Sequence, residues 1–280
     1  MNQEVFAAVA GALERGEPAA LVTIVAARGS TPQRVGAKML VFADGRMVGT
    51  IGGGCYENDA FWKAREAITS RRPELVHYEL DDDFAQETGL ICGGQMDVYI
   101  EPIEPSPELY IVGAGHVGFH LARVAHEVGF RVHVVDDREK FANRERFPDA
   151  AEIVVEDIPA WIGRTQLPAH AYAVIVTRGH TNDLEALRAL APRDLRYLGL
   201  IGSRAKVARI YDQLLADQIS PETLTHVHAP IGLDIGAVTP QEIAVSILAE
   251  LIAVKHGKVL GKDGGGQSMK WEPPKLVTKE

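Results

Sequence analysis

The stretch Leu109-Tyr110-Ile111-Val112-Gly113-Ala114-Gly115-His116-Val117-Gly118 decides the fold. A short apolar run ends in G-x-G-x-x-G, and the spacing beyond it predicts a helix over 116–128, stopped by Gly129. Strand, glycine turn and helix in that order open a dinucleotide-binding α/β sheet. Gly113 is expected to make the tight turn, Gly115 to let a phosphate reach the backbone, and Gly118 to let helix and sheet touch. Free N–H groups and the helix dipole at His116 then attract an anion. The next strand candidate, 131–135, runs into Asp136, 18 residues after Gly118. An acid there can accept hydrogen bonds from a ribose, and it favours NAD over a 2′-phosphorylated cofactor.

Downstream, apolar runs at 153–155, 173–177 and 197–201 alternate with helical stretches at 182–191 and 204–217. Such alternation implies a parallel sheet with right-handed crossovers. Polar groups gather where those strands end. Thr177-Arg178-Gly179-His180 follows one strand, and Gly202-Ser203-Arg204 follows another, with Ser203 reading as a helix cap. Ligands of open α/β sheets bind at this edge, so Arg178, His180 and Arg204 are candidates for an anionic ligand. His180 reads equally well as capping the next helix together with Asp183. The last helix is marked by the capping box Thr239-Pro240-Gln241-Glu242 and by Lys255-His256-Gly257.

Upstream, three prolines between residues 101 and 108 interrupt both helix and sheet. The expected division is a first domain over 1–103, a proline-rich linker over 104–108, a second domain over 109–257 and a flexible tail over 258–280. The first domain reads as α+β. It has a helix over 3–15 with Val5, Phe6, Val9 and Leu13 on one face. Strands are expected at 21–25, 38–42, 46–51, 75–80 and 95–100, with a second helix over 57–69 and Asp44-Gly45 as a hairpin turn.

Both cysteines adjoin glycine-rich loops. Gly52-Gly53-Gly54-Cys55 precedes the second helix, and Cys92-Gly93-Gly94 precedes the last strand of that half. Glycine lets backbone approach a ligand closely, and a helix start favours a thiolate at Cys55. Such thiols bind soft metals or carry sulfur, although buried cysteine also serves simply as filling. Arg28, Ser30, Arg34 and Lys38 lie near the same loops, where the cations suit phosphate or pterin oxygens; their other reading is a solvated surface.

Composition narrows the class. The 280 residues carry 29 Lys+Arg against 38 Asp+Glu, a formal charge of −9, which argues against a nucleic-acid partner. Two cysteines make neither a disulfide framework nor a four-cysteine zinc site. Met1-Asn2-Gln3-Glu4 begins no signal run, and the apolar stretch 243–254 is too short to cross a bilayer. A soluble, cytoplasmic protein with no membrane association is the expected class.

Taken together, these motifs resemble the XdhC/CoxI family, accessory factors of xanthine dehydrogenase and related molybdenum hydroxylases. The resemblance rests on Arg28-Gly29-Ser30-Thr31-Pro32, Gly36-Ala37-Lys38-Met39, Gly49-Thr50-Ile51-Gly52-Gly53-Gly54-Cys55 and Cys92-Gly93-Gly94 in the first half. In the second it rests on the glycine fingerprint, Val135-Asp136-Asp137-Arg138, Phe141-Ala142-Asn143, Thr177-Arg178-Gly179-His180, Gly199-Leu200-Ile201-Gly202-Ser203-Arg204 and residues 230–236. It implies an α/β protein with an N-terminal α+β XdhC/CoxI domain followed by a Rossmann-like parallel-sheet domain. It also implies a chaperone that holds the molybdenum cofactor (molybdopterin) during sulfuration by a cysteine desulfurase and hands it to the apo-hydroxylase. A homodimer is a family-level expectation. On that reading Cys55, with Cys92 and His180, carries the chemistry, and Cys55 contacts molybdenum or sits beside the exchangeable sulfur. Arg28, Ser30, Lys38, Gly52, Gly53, Gly54, Gly113, Gly115, His116, Gly118, Asp136, Arg178 and Arg204 bind the cofactor. Two other readings stay open: an NAD-dependent oxidoreductase using the second domain, and a ligand-free scaffold between desulfurase and hydroxylase.

Overall fold

The structure, a computed structural model, describes residues 2–80, 94–168 and 171–258. The chain forms two compact units that divide between Ser106 and Pro107, within the proline-rich stretch.

The first unit is a five-stranded antiparallel sheet with a helix on each face. Its elements are α1 (Asn2–Arg15), β1 (Ala19–Arg28), β2 (Lys38–Phe42), β3 (Met47–Gly49), α2 (Gly54–Ser70), β4 (Glu74–Leu80) and β5 (Gly94–Ile103), with strand order β3-β2-β1-β5-β4. The central strand β1 alternates between the two faces. Ala20, Val22 and Ile24 pack with Ala60, Ala64 and Ala67 of α2, whereas Ala19 and Leu21 join Val5 and Ala12 of α1. The face expected for α1 is corrected by this packing. Val5 is fully buried, but Phe6 is 54% and Leu13 43% exposed. The stripe that faces the sheet is Val5, Ala8, Val9 and Ala12, so Val5 and Val9 lie on it as expected while Phe6 and Leu13 lie beside it. The rim strand β4 carries exposed Glu74, His77 and Glu79, with Leu75 65% exposed among them.

The second unit is a six-stranded, wholly parallel sheet. Its strands are β6 (Glu108–Val112), β7 (Arg131–Asp136), β8 (Glu152–Val155), β9 (Tyr172–Ile175), β10 (Tyr197–Leu200) and β11 (Val227–His228). Their order, β11-β10-β9-β6-β7-β8, is the doubly wound order of a dinucleotide-binding domain, with its topological switch between β6 and β9. The helices are α3 (His116–Glu127), α4 (Ile158–Arg164), α5 (His180–Leu190), α6 (Arg204–Ala216), α7 (Pro221–Thr225) and α8 (Pro240–Lys255). Both sheet faces are covered, so residues of the central strands β6, β9 and β10 are nearly all buried whichever way they point. Tyr110 and Val112 face a cluster with α4, α5 and α6, while Leu109 and Ile111 face one with α3 and α8. That explains why these strands read as unbroken apolar runs. The short α4, α7 and β11 lay below what periodicity detects. Among the described residues no helix is long and apolar enough to cross a membrane.

Candidate functional site

In the second unit the three fingerprint glycines have three distinct jobs. Gly113 has φ +118°, and a Cβ on it would sit 2.5 Å from the Val176 carbonyl oxygen. Only glycine turns the chain there, between the ends of β6 and β9. A Cβ on Gly118 would lie 2.1 Å from the Gly113 carbonyl oxygen, so helix and turn are in direct backbone contact. A Cβ on Gly115 would meet nothing within 4 Å, leaving that backbone open to a visitor. Gly179, before α5, is equally open. The first turns of α3 and α5, on either side of the switch, have no side-chain cap. Those of α6 and α8 are capped by Ser203 and Thr239, the latter in a full capping box. His116, Arg178, His180 and Arg204 are all exposed along this edge.

Asp136 is 2% exposed and engaged within the protein. Its Oδ2 accepts from the Ala114 N–H at 2.8 Å, and both oxygens take the Arg138 guanidinium, at 2.7 and 2.8 Å. Burial pushes this carboxyl up, yet the Arg138 and Ala114 donors outweigh it and hold it below the usual aspartate range. The acid expected to read a ribose therefore also clamps the glycine turn to β7. Arg138 in turn lies 4.0 Å over the Phe141 ring. Asp183 is fully buried one turn into α5; its Oδ1 accepts from the Thr177 hydroxyl at 2.5 Å and its Oδ2 pairs with Lys206. Burial is the main cause of its raised pKa, only partly offset by Lys206 and Thr177. It ties the loop that carries Arg178 to the first turn of α6, which Arg204 opens, and it does not cap α5.

In the first unit, two glycines show that the motif loops meet. A Cβ on Gly52 would come within 2.7 Å of Pro32, and one on Gly94 within 2.5 Å of the Ser30 carbonyl. The loop 28–32 is thus held against both glycine segments. Gly52, Gly53 and Gly54 are three consecutive left-handed residues, with φ +127°, +76° and +81°. Their turn delivers Cys55 as the second residue of α2, as a half-buried free thiol. Helix α2 starts three residues before the sequence suggested, because glycine's poor helix propensity masks the true start. Cys92 lies outside the described residues. Lys38 is directed elsewhere, its Nζ donating to Thr23 Oγ1 at 3.0 Å and lying over the Phe6 ring on the α1 face. Arg28 and Ser30 are exposed.

The sequence reading passed over Glu57. Its Oε2 accepts from the Thr50 hydroxyl at 2.5 Å and from the N–H groups of Ile51, Gly52 and Gly53 at 2.8, 3.2 and 3.1 Å. The glycine loop is a nest of backbone donors, and the chain's own carboxylate fills it. Burial raises the Glu57 pKa, but these four donors more than offset it, leaving a net lowering. The available signal was an acid inside the first turn after a glycine run, where such donors cluster. A cavity of about 550 Å³ opens at the other end of α2, between Ala43, Trp62 and Arg65, and none of the sequence candidates lines it. Among the described residues no three His, Cys, Asp or Glu side chains are placed to hold a metal ion.

Fold and site define a class: a two-unit α/β protein with a Rossmann-type ligand edge and, in its antiparallel half, a glycine turn presenting a thiol. Residues 12–79 match the family described as "XdhC and CoxI family", and residues 109–251 match "XdhC Rossmann domain". The chain belongs to the XdhC and CoxI family. It is 38% identical over 253 residues to the uncharacterized protein YqeB of Escherichia coli, covering 90% of this chain but only 46% of that protein. It therefore spans about half the length of that relative. It is 27% identical to a probable xanthine dehydrogenase subunit of Bacillus subtilis, covering 87% of this chain and 95% of that one. It is 26% identical to the molybdenum cofactor insertion chaperone PaoD of E. coli, covering 87% and 86%. A crystal structure described as a xanthine dehydrogenase from Bacillus halodurans superposes with a TM-score of 0.51 at 26% identity, covering 91% of this chain and 96% of that one.

Proposed function

We propose that this chain is a cytoplasmic accessory factor in the maturation of a molybdenum hydroxylase of the xanthine dehydrogenase type. It binds the molybdenum cofactor, supports its sulfuration by a cysteine desulfurase, and inserts it into the apo-enzyme, acting as a homodimer. Family membership and the chaperone among its relatives support the role. The observation that carries the site is Cys55, a free, half-buried thiol held on a rigid glycine turn. A soft sulfur donor at Cys55 suits molybdenum, and within the second unit the open backbone at Gly115 and Gly179 suits an anionic group. The donors of Ile51, Gly52 and Gly53 do not fit a phosphate, since Glu57 already occupies them. The cofactor supplies the metal centre and its exchangeable sulfur. The chain's own part is to present the Cys55 sulfur on its glycine turn.

Protein purified from its host should retain molybdenum by elemental analysis and pterin fluorescence after oxidation. Cys55→Ala should lose most of that retention, or fail to activate the client enzyme, at an unchanged unfolding midpoint. Full activation by Cys55→Ala would take Cys55 out of the mechanism, and wild-type protein free of both pterin and metal would take out the role.

The fingerprint geometry supports a second reading, an NAD-dependent oxidoreductase. Titration with NAD(H) separates the two: tight binding with turnover of a carbonyl compound favours the second. Asp136 weighs against it, because its oxygens already serve Ala114 and Arg138.

A further inference from the structure

The ion pair between Asp137 and Arg178 crosses the ligand edge. Arg178 Nη2 donates to Asp137 Oδ2 at 3.0 Å, and Asp137 Oδ1 lies 3.5 Å from Arg138 Nε. Asp137 directly follows β7 and Arg178 closely follows β9. These are the two neighbours of β6, each about 4.8 Å from it. A contact from the end of β7 to the end of β9 therefore passes across the end of β6, where the chain turns at Gly113 and lies open at Gly115. A ligand bridging the switch point with an anionic group over the turn would follow the same line.

We propose that Asp137–Arg178 is a displaceable bar across the crevice, opened by a ligand carrying a diphosphate. The proposal rests on reading this edge as an anion site, and it adds how the site discriminates. Arg178's planar fork matches paired phosphate oxygens, so the diphosphate takes over the guanidinium from Asp137. Two carboxylates, Asp136 and Asp137, balance two guanidiniums, Arg138 and Arg178, so the closed bar is close to neutral and attracts no stray anion strongly. Both partners are substantially exposed, at 57% and 33% of their side chains, and exposed pairs are weak. That weakness suits a bar that must part and would be useless in a brace. The neighbouring Asp136–Arg138 pair, being buried, is the brace.

The test is calorimetric titration of the full chain with inorganic pyrophosphate at fixed ionic strength. Asp137→Asn removes the competitor and should tighten binding by about two- to fivefold. Arg178→Gln should weaken it by about tenfold or more. The double variant should match Arg178→Gln, because without the guanidinium there is nothing for Asp137 to withhold. Equal affinity in all four proteins would overturn the bar while leaving the glycine turn as an anion site. Weaker binding by Asp137→Asn would overturn it too, by showing that Asp137 assists. No binding by either wild type or Asp137→Asn would remove the bar and the anion site together, without touching the test of molybdenum retention.

Discussion

At the scale of single residues, the glycine loop before α2 is settled by one carboxylate. Glu57 accepts from three backbone N–H groups and a hydroxyl, and of the three N–H groups Gly52 also has Thr50 Oγ1 as an acceptor. Hydrogen bonds to a charged acceptor are worth roughly twice those to a neutral one, so Glu57→Gln, which keeps an accepting oxygen but loses its charge, should lose about 1 kcal/mol of stability in urea denaturation at neutral pH. The pH dependence has a definite sign. The folded pKa is lowered, so the Glu57 contribution is complete above the ordinary glutamate value of 4.5 and is lost as pH falls through the folded value. A plot of unfolding free energy against pH should therefore fall more steeply on the acid side for wild type than for Glu57→Gln. Parallel curves would show that the nest is held by something else. The sequence displayed the glycines and the cysteine but not this carboxylate's task. A Glu early in a helix has many ordinary reasons to be there, and only the fold shows that the preceding loop curls back onto it. Asp136 teaches the same lesson from the other side. Its position was legible from strand and spacing, while its commitment to Arg138 depends on a side-chain conformation that no spacing encodes.

At the scale of elements, the fingerprint was legible because each glycine answers to a steric demand. Those demands predict different outcomes for the same substitution. Gly118→Ala would force a methyl into the Gly113 carbonyl and should cost about 3 kcal/mol, lowering the melting temperature by roughly 5 °C or more. Gly115→Ala meets no protein atom and should melt within about 2 °C of wild type while weakening pyrophosphate binding, since its methyl stands where an anion would approach. Equal melting losses for both would mean that Gly115 is packed after all. The longer strands and helices of the second unit lie close to the limits read from the sequence, since buried parallel strands are largely apolar and long helices are periodic, whereas the short α4, α7 and β11 carry too few residues to show a period. The first unit was harder. The order β3-β2-β1-β5-β4 depends on which strands meet across α2 and the hairpin, and the local pattern is silent about that.

At the scale of the whole molecule, each unit has its own core. The clusters around α1 and α2 draw only on the first unit, and those flanking the parallel sheet only on the second. Cooperative unfolding follows contiguous cores. Differential scanning calorimetry of Gly118→Ala should therefore shift the transition belonging to residues 107–258 and leave that of 2–106 in place. A single transition moving as one would show that the units melt together. The rim strand β4 bears on a different property, how the protein behaves when concentrated. Leu75 offers an apolar foothold through which strands of separate molecules could stack into an ordered precipitate, and Glu74, His77 and Glu79 beside it, with Glu74 ion-paired to Lys63 and His77 to Asp97 and Glu79, would have to be desolvated for that stacking to form. Colloidal behaviour is thereby governed by side chains remote in sequence from the thiol turn and from the phosphate-type edge, and loss of their charge is where clumping would begin.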